Sequence, residues 1–227
     1  MNSTKFVFLL GPTSVGKGFI IKLILRICAI LTGISRLNIG LISFGQIIRD
    51  KLGSDPAFRA AYGSIVARGD LVDDDKAIEL FEEKLADIMN DSENGRPDII
   101  LVDGFCRSET QIQHAAQNGY LRKQDKVFII EASLETCLAR FLHRNAHDTS
   151  RIDSEMQTFR RRYHLHSDGI STLRALFKES NAEVIDIDGD KDIAEFVFPE
   201  LFGHILAYDI APQGVLGADE TAEEARR

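Results

Sequence analysis

The sequence predicts an α/β fold, a three-layer, doubly wound arrangement in which helices cover both faces of a parallel five-stranded sheet. Apolar runs of strand length alternate with longer helical stretches along the chain. A glycine-rich loop joins the first apolar run directly to a helical stretch, as in many strand–helix units. The length of 227 residues suits one sizeable domain.

Short apolar runs predict the strands of this sheet. Two of them are almost continuously apolar and are followed at once by glycine, which is typical of central parallel strands buried on both faces. These two runs are Lys5–Leu10 and Asp98–Asp103. The other expected strands are Ile39–Ser43, Val127–Glu131 and Val184–Ile187.

Helical stretches connect these strands. The first runs from about Lys17 to Leu31, and we expect it to end at Gly33 and to be buried, because its apolar residues are nearly continuous. It contains Lys22 and Arg26 and is too short to span a bilayer, so we expect no membrane partner. The remaining expected helices are Gly45–Leu52, Pro56–Arg68, Asp74–Asn90, Thr110–Gln117, Leu134–Arg144, Ser154–Ser180 and Ile193–Leu206.

Charge and cysteine content limit the function classes. The net charge of −8 argues against a general nucleic-acid binder, which usually has a basic surplus. The three cysteines are widely spaced and lack zinc-ligand spacing, which favours a reducing compartment. The N-terminus does not resemble a signal peptide, so we expect a cytoplasmic protein. The segment 211–227 lacks a periodic apolar face, and we expect a flexible tail there.

The loop between the first strand and the first helix fits the pattern G-x-x-x-x-G-K. Its backbone N–H groups and the following helix N-terminus favour phosphate, and Lys17 adds a cation for the β- and γ-phosphates of a nucleoside triphosphate. A tight turn without ligand is the alternative, which the strand–loop–helix context makes less favourable. Gly18 and Phe19 follow the lysine, so the usual hydroxyl that ligates Mg²⁺ is absent. The expected donor-binding residues of this loop are Gly11, Thr13, Ser14, Val15, Gly16, Lys17 and Gly18.

Several short segments, in the same order along the chain, resemble the adenylate kinase family of nucleoside monophosphate kinases. The pair Lys17-Gly18 is the first of them. The resemblance extends from about Phe6 to Leu206. The other segments are Ile42-Ser43-Phe44-Gly45-Gln46 with Arg49, Gly69-Asp70-Leu71-Val72-Asp73-Asp74, Asp103-Gly104-Phe105-Cys106-Arg107 with Gln111, Arg140 and Arg144, Arg151-Ile152-Asp153 with Arg160 and Arg162, and Ile187-Asp188-Gly189.

This resemblance implies a P-loop nucleotide-binding fold with strand order 2-3-1-4-5. It implies a kinase domain over 1–210, in which 44–90 bind the monophosphate and 145–153 form a short lid without zinc. The core of that domain is then 5–43, 98–144 and 154–206. We expect small-molecule nucleotides as partners and a monomer, with a dimer as the alternative.

The resemblance also implies transfer of the γ-phosphoryl group of ATP to AMP or a related monophosphate, with Mg²⁺. The implied catalytic residues are Lys17, Arg107, Arg144, Arg151 and Arg162. Arg140 and Arg144 would join the loop in binding the donor, with Arg140 stacked on its base, and Asp103 would hold Mg²⁺ through water. Arg151 and Asp153 would act in the lid. The implied acceptor-binding residues are Ser43, Phe44, Gly45, Arg49, Leu71, Val72, Gly104, Arg107 and Gln111.

Four residues depart from the family pattern. Phe44 and Phe19 stand where the family has threonine, Gln46 where it has aspartate, and Cys106 where it has proline. Phe44 and Gln46 lie around the expected acceptor base and keep open a P-loop kinase for another small acceptor, such as a nucleoside or a sugar acid. Phe19 lacks the hydroxyl of the family's threonine, and Gln46 lacks the carboxylate of its aspartate. These losses keep open a third hypothesis, a nucleotide-binding protein with weak catalysis.

Overall fold

The computed structural model describes residues 4–35, 38–91, 95–147 and 155–206. The strands are β1 Lys5–Leu10, β2 Ile39–Ser43, β3 Ile99–Asp103, β4 Lys126–Glu131 and β5 Glu183–Asp188. They form one parallel sheet in the spatial order β2-β3-β1-β4-β5. The predicted fold class and strand order are therefore confirmed.

Helices connect the strands and lie on both faces of the sheet. The α-helices are α1 Lys17–Ser35, α2 Phe44–Ser54, α3 Pro56–Ala67, α4 Asp74–Met89, α5 Glu109–Gln117, α6 Leu134–His147, α7 Met156–Glu179 and α8 Phe198–Leu206. A short π-helix, Ile193–Val197, precedes α8.

The side chains of β1 show how the two faces are covered. Phe6 and Phe8 point into a cluster that includes residues of α4 and α5. Val7 and Leu9 point into a second cluster, which includes residues of α1 and α8. Since successive strand residues point to opposite faces, this division places the sheet between two helical layers.

The first helix differs from the prediction in two ways. It runs through Gly33 to Ser35; a single glycine costs a helix only about 1 kcal/mol, which does not suffice to end it. It is covered on one face only: Ile20 and Ile24 are buried, whereas Phe19 is half exposed. In the part of the chain that the structure describes, no helix combines the length and hydropathy needed to cross a membrane.

Two other helices also differ from the prediction. α6 continues to His147, so residues 145–147 of the expected lid are helical; 148–154 lie outside the described residues, as does the expected tail 211–227. The helix expected from Ile193 onward divides into the π-helix and α8. Pro199 explains the division, because it has no N–H to donate to the carbonyl of Glu195.

The register of the sheet sets the position of the loops that follow β1, β2 and β3. Leu9 lies beside Asp103, and Asp103 lies beside Ser43 on the other side. The three strands therefore end at the same level of one sheet edge. Ligands of open parallel sheets bind at this carboxyl edge.

Candidate active site

The loop after β1 closes around its own lysine. Lys17 is the first residue of α1, and its Nζ donates to the carbonyl oxygens of Gly11 at 2.7 Å and Pro12 at 3.0 Å. Gly16 has a φ of +114°, and a Cβ there would lie 2.3 Å from Ile193 Cδ1. The positive φ requires the glycine of the motif, and any Cβ here would also displace the end of the Ile193 side chain.

Burial and charge together tune Lys17. The pKa of Lys17 is lowered to about 8, mainly because the ammonium is buried and desolvated. The nearby Asp103 carboxylate opposes this shift, whereas the charge of Arg107 contributes to it. At neutral pH the lysine is still mostly protonated, and an anion beside it would relieve the cost of its burial.

The side chain of Ser14 gives a second sign of a ligand in this loop. Ser14 has a φ of +62°, a conformation that disfavours residues with a Cβ. Its Oγ is buried, and among the described residues it has no hydrogen-bond partner. A buried hydroxyl without a partner is unfavourable, and a phosphate oxygen in the loop would accept its hydrogen bond.

Asp103 and Arg107 lie near Lys17 at the carboxyl edge of the sheet, and Arg162 lies near Arg107. The Arg107 side chain is accessible to solvent, but protein atoms displace much of the water around the guanidinium and thereby lower its pKa. Asp103 opposes this shift, whereas the nearby charge of Arg162 adds to it. Two cations, Lys17 and Arg107, thus lie near one carboxylate and a third, Arg162, lies near Arg107, so positive charge predominates here and favours an anion.

Two arginines border the region expected to bind the acceptor. The Arg107 Nη2 lies 3.0 Å from the point where a Cβ on Gly104 would stand, and Arg49 Nη1 lies 3.4 Å from the corresponding point on Gly45. Gly104 directly follows β3, and Gly45 follows β2 with Phe44 between them. Arg49 also donates to Gln46 Oε1 at 2.7 Å. Both arginines therefore cover the ends of neighbouring strands.

Aromatic packing fills part of the same region. The Phe44 ring is buried, with its centroid 5.7 Å from that of Phe105. Phe105 in turn stacks on Phe81, with the centroids 4.2 Å apart. Phe44 can therefore offer little of its ring face to an acceptor base. Val72 is buried and Leu71 is half exposed, so the side chain of Leu71 is accessible to an acceptor base and that of Val72 is not.

Gln111 is held in a polar network. Its Nε2 donates to Asp74 Oδ1 at 2.7 Å, and its Oε1 accepts from the backbone N–H of Arg107 at 3.0 Å. Ser108 Oγ also donates to Asp74 Oδ1. This network fixes the amide orientation, and each end of the amide keeps one further hydrogen-bonding position.

Arg140 and Arg144, both on α6, lie in different surroundings. Arg140 donates to the backbone oxygens of Val15, Gly189 and Lys191, at 2.7 to 3.0 Å. It thus ties the phosphate loop to the loop after β5, and a base could stack only on its flat face. The Arg144 guanidinium lies over the Phe141 ring, 5.3 Å from its centroid.

Of the remaining expected site residues, three lie in the part of the chain that the structure describes and two lie outside it. Thr13 is partly exposed and Gly18 is exposed at the loop, and Ser43 ends β2. Arg151 and Asp153 lie outside the described residues. Two residues near the site, Asp74 and His166, were missed as site residues from sequence. Asp74 belongs to the segment Gly69–Asp74, which resembles the adenylate kinase pattern. The only sequence signal for His166 is its place four residues after Arg162.

Comparison with known proteins supports the resemblance inferred from sequence. Residues 10–160 match the model of a family described as AAA domain. The chain is 27% identical to adenylate kinase 1 of Nostoc sp. over 85% of its length and 94% of that protein. It is 28% identical to the adenylate kinase of Thermus thermophilus, in each of two strains, over 83% of its length and 91% of that protein. The family match spans more than half of the chain, and we conclude that this protein belongs to the AAA domain family and is related to the adenylate kinases.

Proposed function

We propose that the chain is a nucleoside monophosphate kinase that transfers the γ-phosphoryl group of ATP to AMP or a related monophosphate. The observation that carries this proposal is that Lys17 and Arg107 lie near Asp103 at the carboxyl edge of the sheet, with Arg162 near Arg107. The similarity to adenylate kinases over 83–85% of the chain supports it. Phosphoryl transfer needs little covalent work from a protein beyond positioning and charge neutralisation.

In this proposal the loop and the arginines hold two anionic substrates in line. Lys17 contacts the β- and γ-phosphates, and Arg107 lies between the donor side and the acceptor side. Arg49 binds the acceptor phosphate with Arg107, since planar guanidinium groups bind phosphate oxygens in pairs. Arg144, Arg151 and Asp153 are proposed to complete the donor side with the lid segment 145–153, which excludes water.

The residues present fit a triphosphate with Mg²⁺. The partnerless Ser14 hydroxyl offers a donor to a phosphate oxygen. The described residues contain no group of three or more His, Cys, Asp or Glu side chains that could hold a metal by themselves. Asp103 would therefore bind Mg²⁺ through water while phosphate oxygens supply the other ligands, which is the usual arrangement for this ion. When bound, Mg²⁺ neutralises charge on the β- and γ-phosphates.

A second candidate function is a kinase for a different small acceptor, such as a nucleoside or a sugar acid. The buried ring of Phe44 favours it, because that ring occupies space near the strand end where the family has a smaller threonine. Gln46 also favours it, since its amide is engaged with Arg49 and Asp50. The Gln111 network argues for the monophosphate, because it keeps an amide oriented beside Arg107.

The experiment is a panel of acceptors assayed with ATP and Mg²⁺. We expect ADP formation at ordinary kinase rates of roughly 1–100 per second with at least one monophosphate. Lys17→Met should reduce kcat by at least about 100-fold, because one preorganised charge contact to the reacting group is lost, while the circular dichroism spectrum stays the same.

Each outcome of the panel selects one hypothesis. Transfer only to nucleosides or sugar acids would establish the second candidate and exclude the monophosphate kinase. ATP binding without turnover on any acceptor would instead establish a nucleotide-binding protein with weak catalysis.

We also propose a reducing compartment such as the cytoplasm, because Cys28, Cys106 and Cys137 all have free thiols.

A further inference from the structure

α7 crosses the carboxyl edge of the sheet and carries a histidine over the site. Near its start, Arg162 Nη2 donates to Val66 O on the acceptor side at 3.2 Å. Tyr163 OH donates to Ala132 O, just after β4, at 3.0 Å. His166 lies one turn after Arg162, and Ile170 one turn further is buried in the core. The residues 159, 163, 166 and 170 therefore form the inward face of the helix.

The imidazole of His166 has an unsatisfied polar atom. Its Nε2 is buried and has no hydrogen-bond partner among the described residues. Buried polar atoms almost always have a hydrogen-bond partner in the protein or in ordered water, and a bound ligand can take the place of either. Ser14 Oγ, in the phosphate loop, is in the same condition.

Positive charge surrounds this histidine. Burial and, to a smaller extent, the charges of Lys17, Arg107 and Arg174 together lower the pKa of His166 to about 3. Arg174 is itself paired with Glu131, at the end of β4, and with Asp186, within β5. Lys17 and Arg107 instead face the anion site, so the imidazole lies beside that site as a neutral group.

We propose that Nε2 of His166 donates a hydrogen bond to a phosphate oxygen of the bound substrates, making it a further residue of the transfer site; this rests on the proposed function. Phosphate oxygens only accept hydrogen bonds, so the neutral ring must carry its proton on Nε2 in the complex. A neutral donor adds a hydrogen bond without adding a further charge that would repel Lys17 and Arg107. The same geometry explains why the atom lacks a protein partner.

Three variants test this proposal by steady-state kinetics. His166→Leu keeps an apolar group of similar size but removes the donor, and we expect kcat to fall about 10–100-fold, the range of one hydrogen bond to a charged group. His166→Gln places an amide N–H near the position of Nε2 and should stay within about threefold of the wild type. His164→Leu is the control, since His164 lies on the same helix but is exposed. It should leave kcat unchanged.

A spectroscopic measurement separates contact from packing. The histidines are labelled with ¹⁵N, and a bisubstrate dinucleotide, two adenosines joined by a polyphosphate, is added to the full chain. We expect the His166 Nε2 resonance, assigned with His166→Gln, to shift, whereas that of His164 stays in place.

Binding of the dinucleotide with an unchanged His166 resonance would overturn the proposal while leaving the kinase function standing. Full activity of the His166→Leu variant would also overturn the proposed role of His166. Failure of the dinucleotide to bind at millimolar concentration, with no transfer in the acceptor panel, would overturn the proposed function and this inference together.

Discussion

If Lys17 binds a nucleotide as proposed, its buried ammonium should make that binding depend on pH. Its pKa of about 8 in the free protein should rise when a triphosphate binds, because an opposite charge favours the protonated form. The complex therefore binds the proton more tightly than the free protein does. We expect ATP affinity to fall by up to about tenfold per pH unit above pH 8.

Titration calorimetry at pH 8.5, in buffers of different ionisation enthalpy, measures this linkage. ATP binding should take up about three quarters of a proton, the fraction of free Lys17 that is deprotonated there. Lys17→Arg is the control, because an arginine stays protonated and should take up no proton. Affinity that stays constant from pH 7.5 to 9.5 in the wild type would contradict the assignment.

Cys106 has a backbone conformation that the family's proline cannot adopt. Its φ is +61°, whereas proline is restricted to about −65°. The thiol is fully buried, and Sγ lies 3.9 Å from Gln111 O. Cys106→Pro, although it restores the family residue, should lower the free energy of unfolding by roughly 2–3 kcal/mol and displace Arg107.

Chemical denaturation of Cys106→Pro and Cys106→Ala measures the effect. The alanine variant keeps the backbone and loses only a small buried group, so we expect a cost of about 1 kcal/mol. A proline variant as stable as the wild type would show that this backbone changes readily to the conformation that proline requires.

Elements were predictable from sequence where local signals and packing agreed. The apolar runs of β1 and β3 identified central strands, because burial on both faces leaves no polar alternation. The predicted end of α1 was wrong, since one glycine disfavours a helix too weakly to end it and α1 continues through Gly33 to Ser35. Its one exposed face was also missed, because composition alone does not show which side the sheet covers.

The candidate site was predictable only in part, for a similar reason. Lys17 and Asp103 follow from motifs at strand ends, where topology determines position. The carbonyl partners of Arg140 are spread over the phosphate loop and the loop after β5, and no spacing in the sequence indicates them. No sequence pattern distinguishes His166 from other helical histidines; only the position of α7 across the sheet edge does.

At the scale of the whole molecule, the turn 66–70 joins the proposed acceptor part, 44–90, to α7. Thr158 Oγ1 donates to Ala67 O at 3.0 Å, and Arg162 donates to Val66 O. Arg161 pairs with Asp70 at 2.5 Å. Because Arg162 also lies near Arg107, this turn links the acceptor part 44–90 to the position of a proposed catalytic arginine.

Gly69 allows that close approach. Its φ is +88°, and a Cβ would lie 3.1 Å from Thr158 O and 3.2 Å from Thr158 Cγ2. Gly69→Ala should therefore push the turn away from α7 and loosen Arg162. We expect the KM of the monophosphate to rise about tenfold, the effect of losing roughly one hydrogen bond to a charged group, while the Kd of ATP stays within twofold.

A second glycine separates this effect from backbone strain. Gly119 has a similar φ of +74°, but no atom lies within 4 Å of the position of its Cβ. Gly119→Ala should lower the free energy of unfolding by about 1 kcal/mol, as any residue with a Cβ does at such a φ, and leave both nucleotide constants unchanged. If Gly69→Ala changed only stability, like Gly119→Ala, the turn would be a packing contact without influence on acceptor binding. A rise confined to the monophosphate KM would show instead that the acceptor part and α7 act as one unit in positioning Arg162.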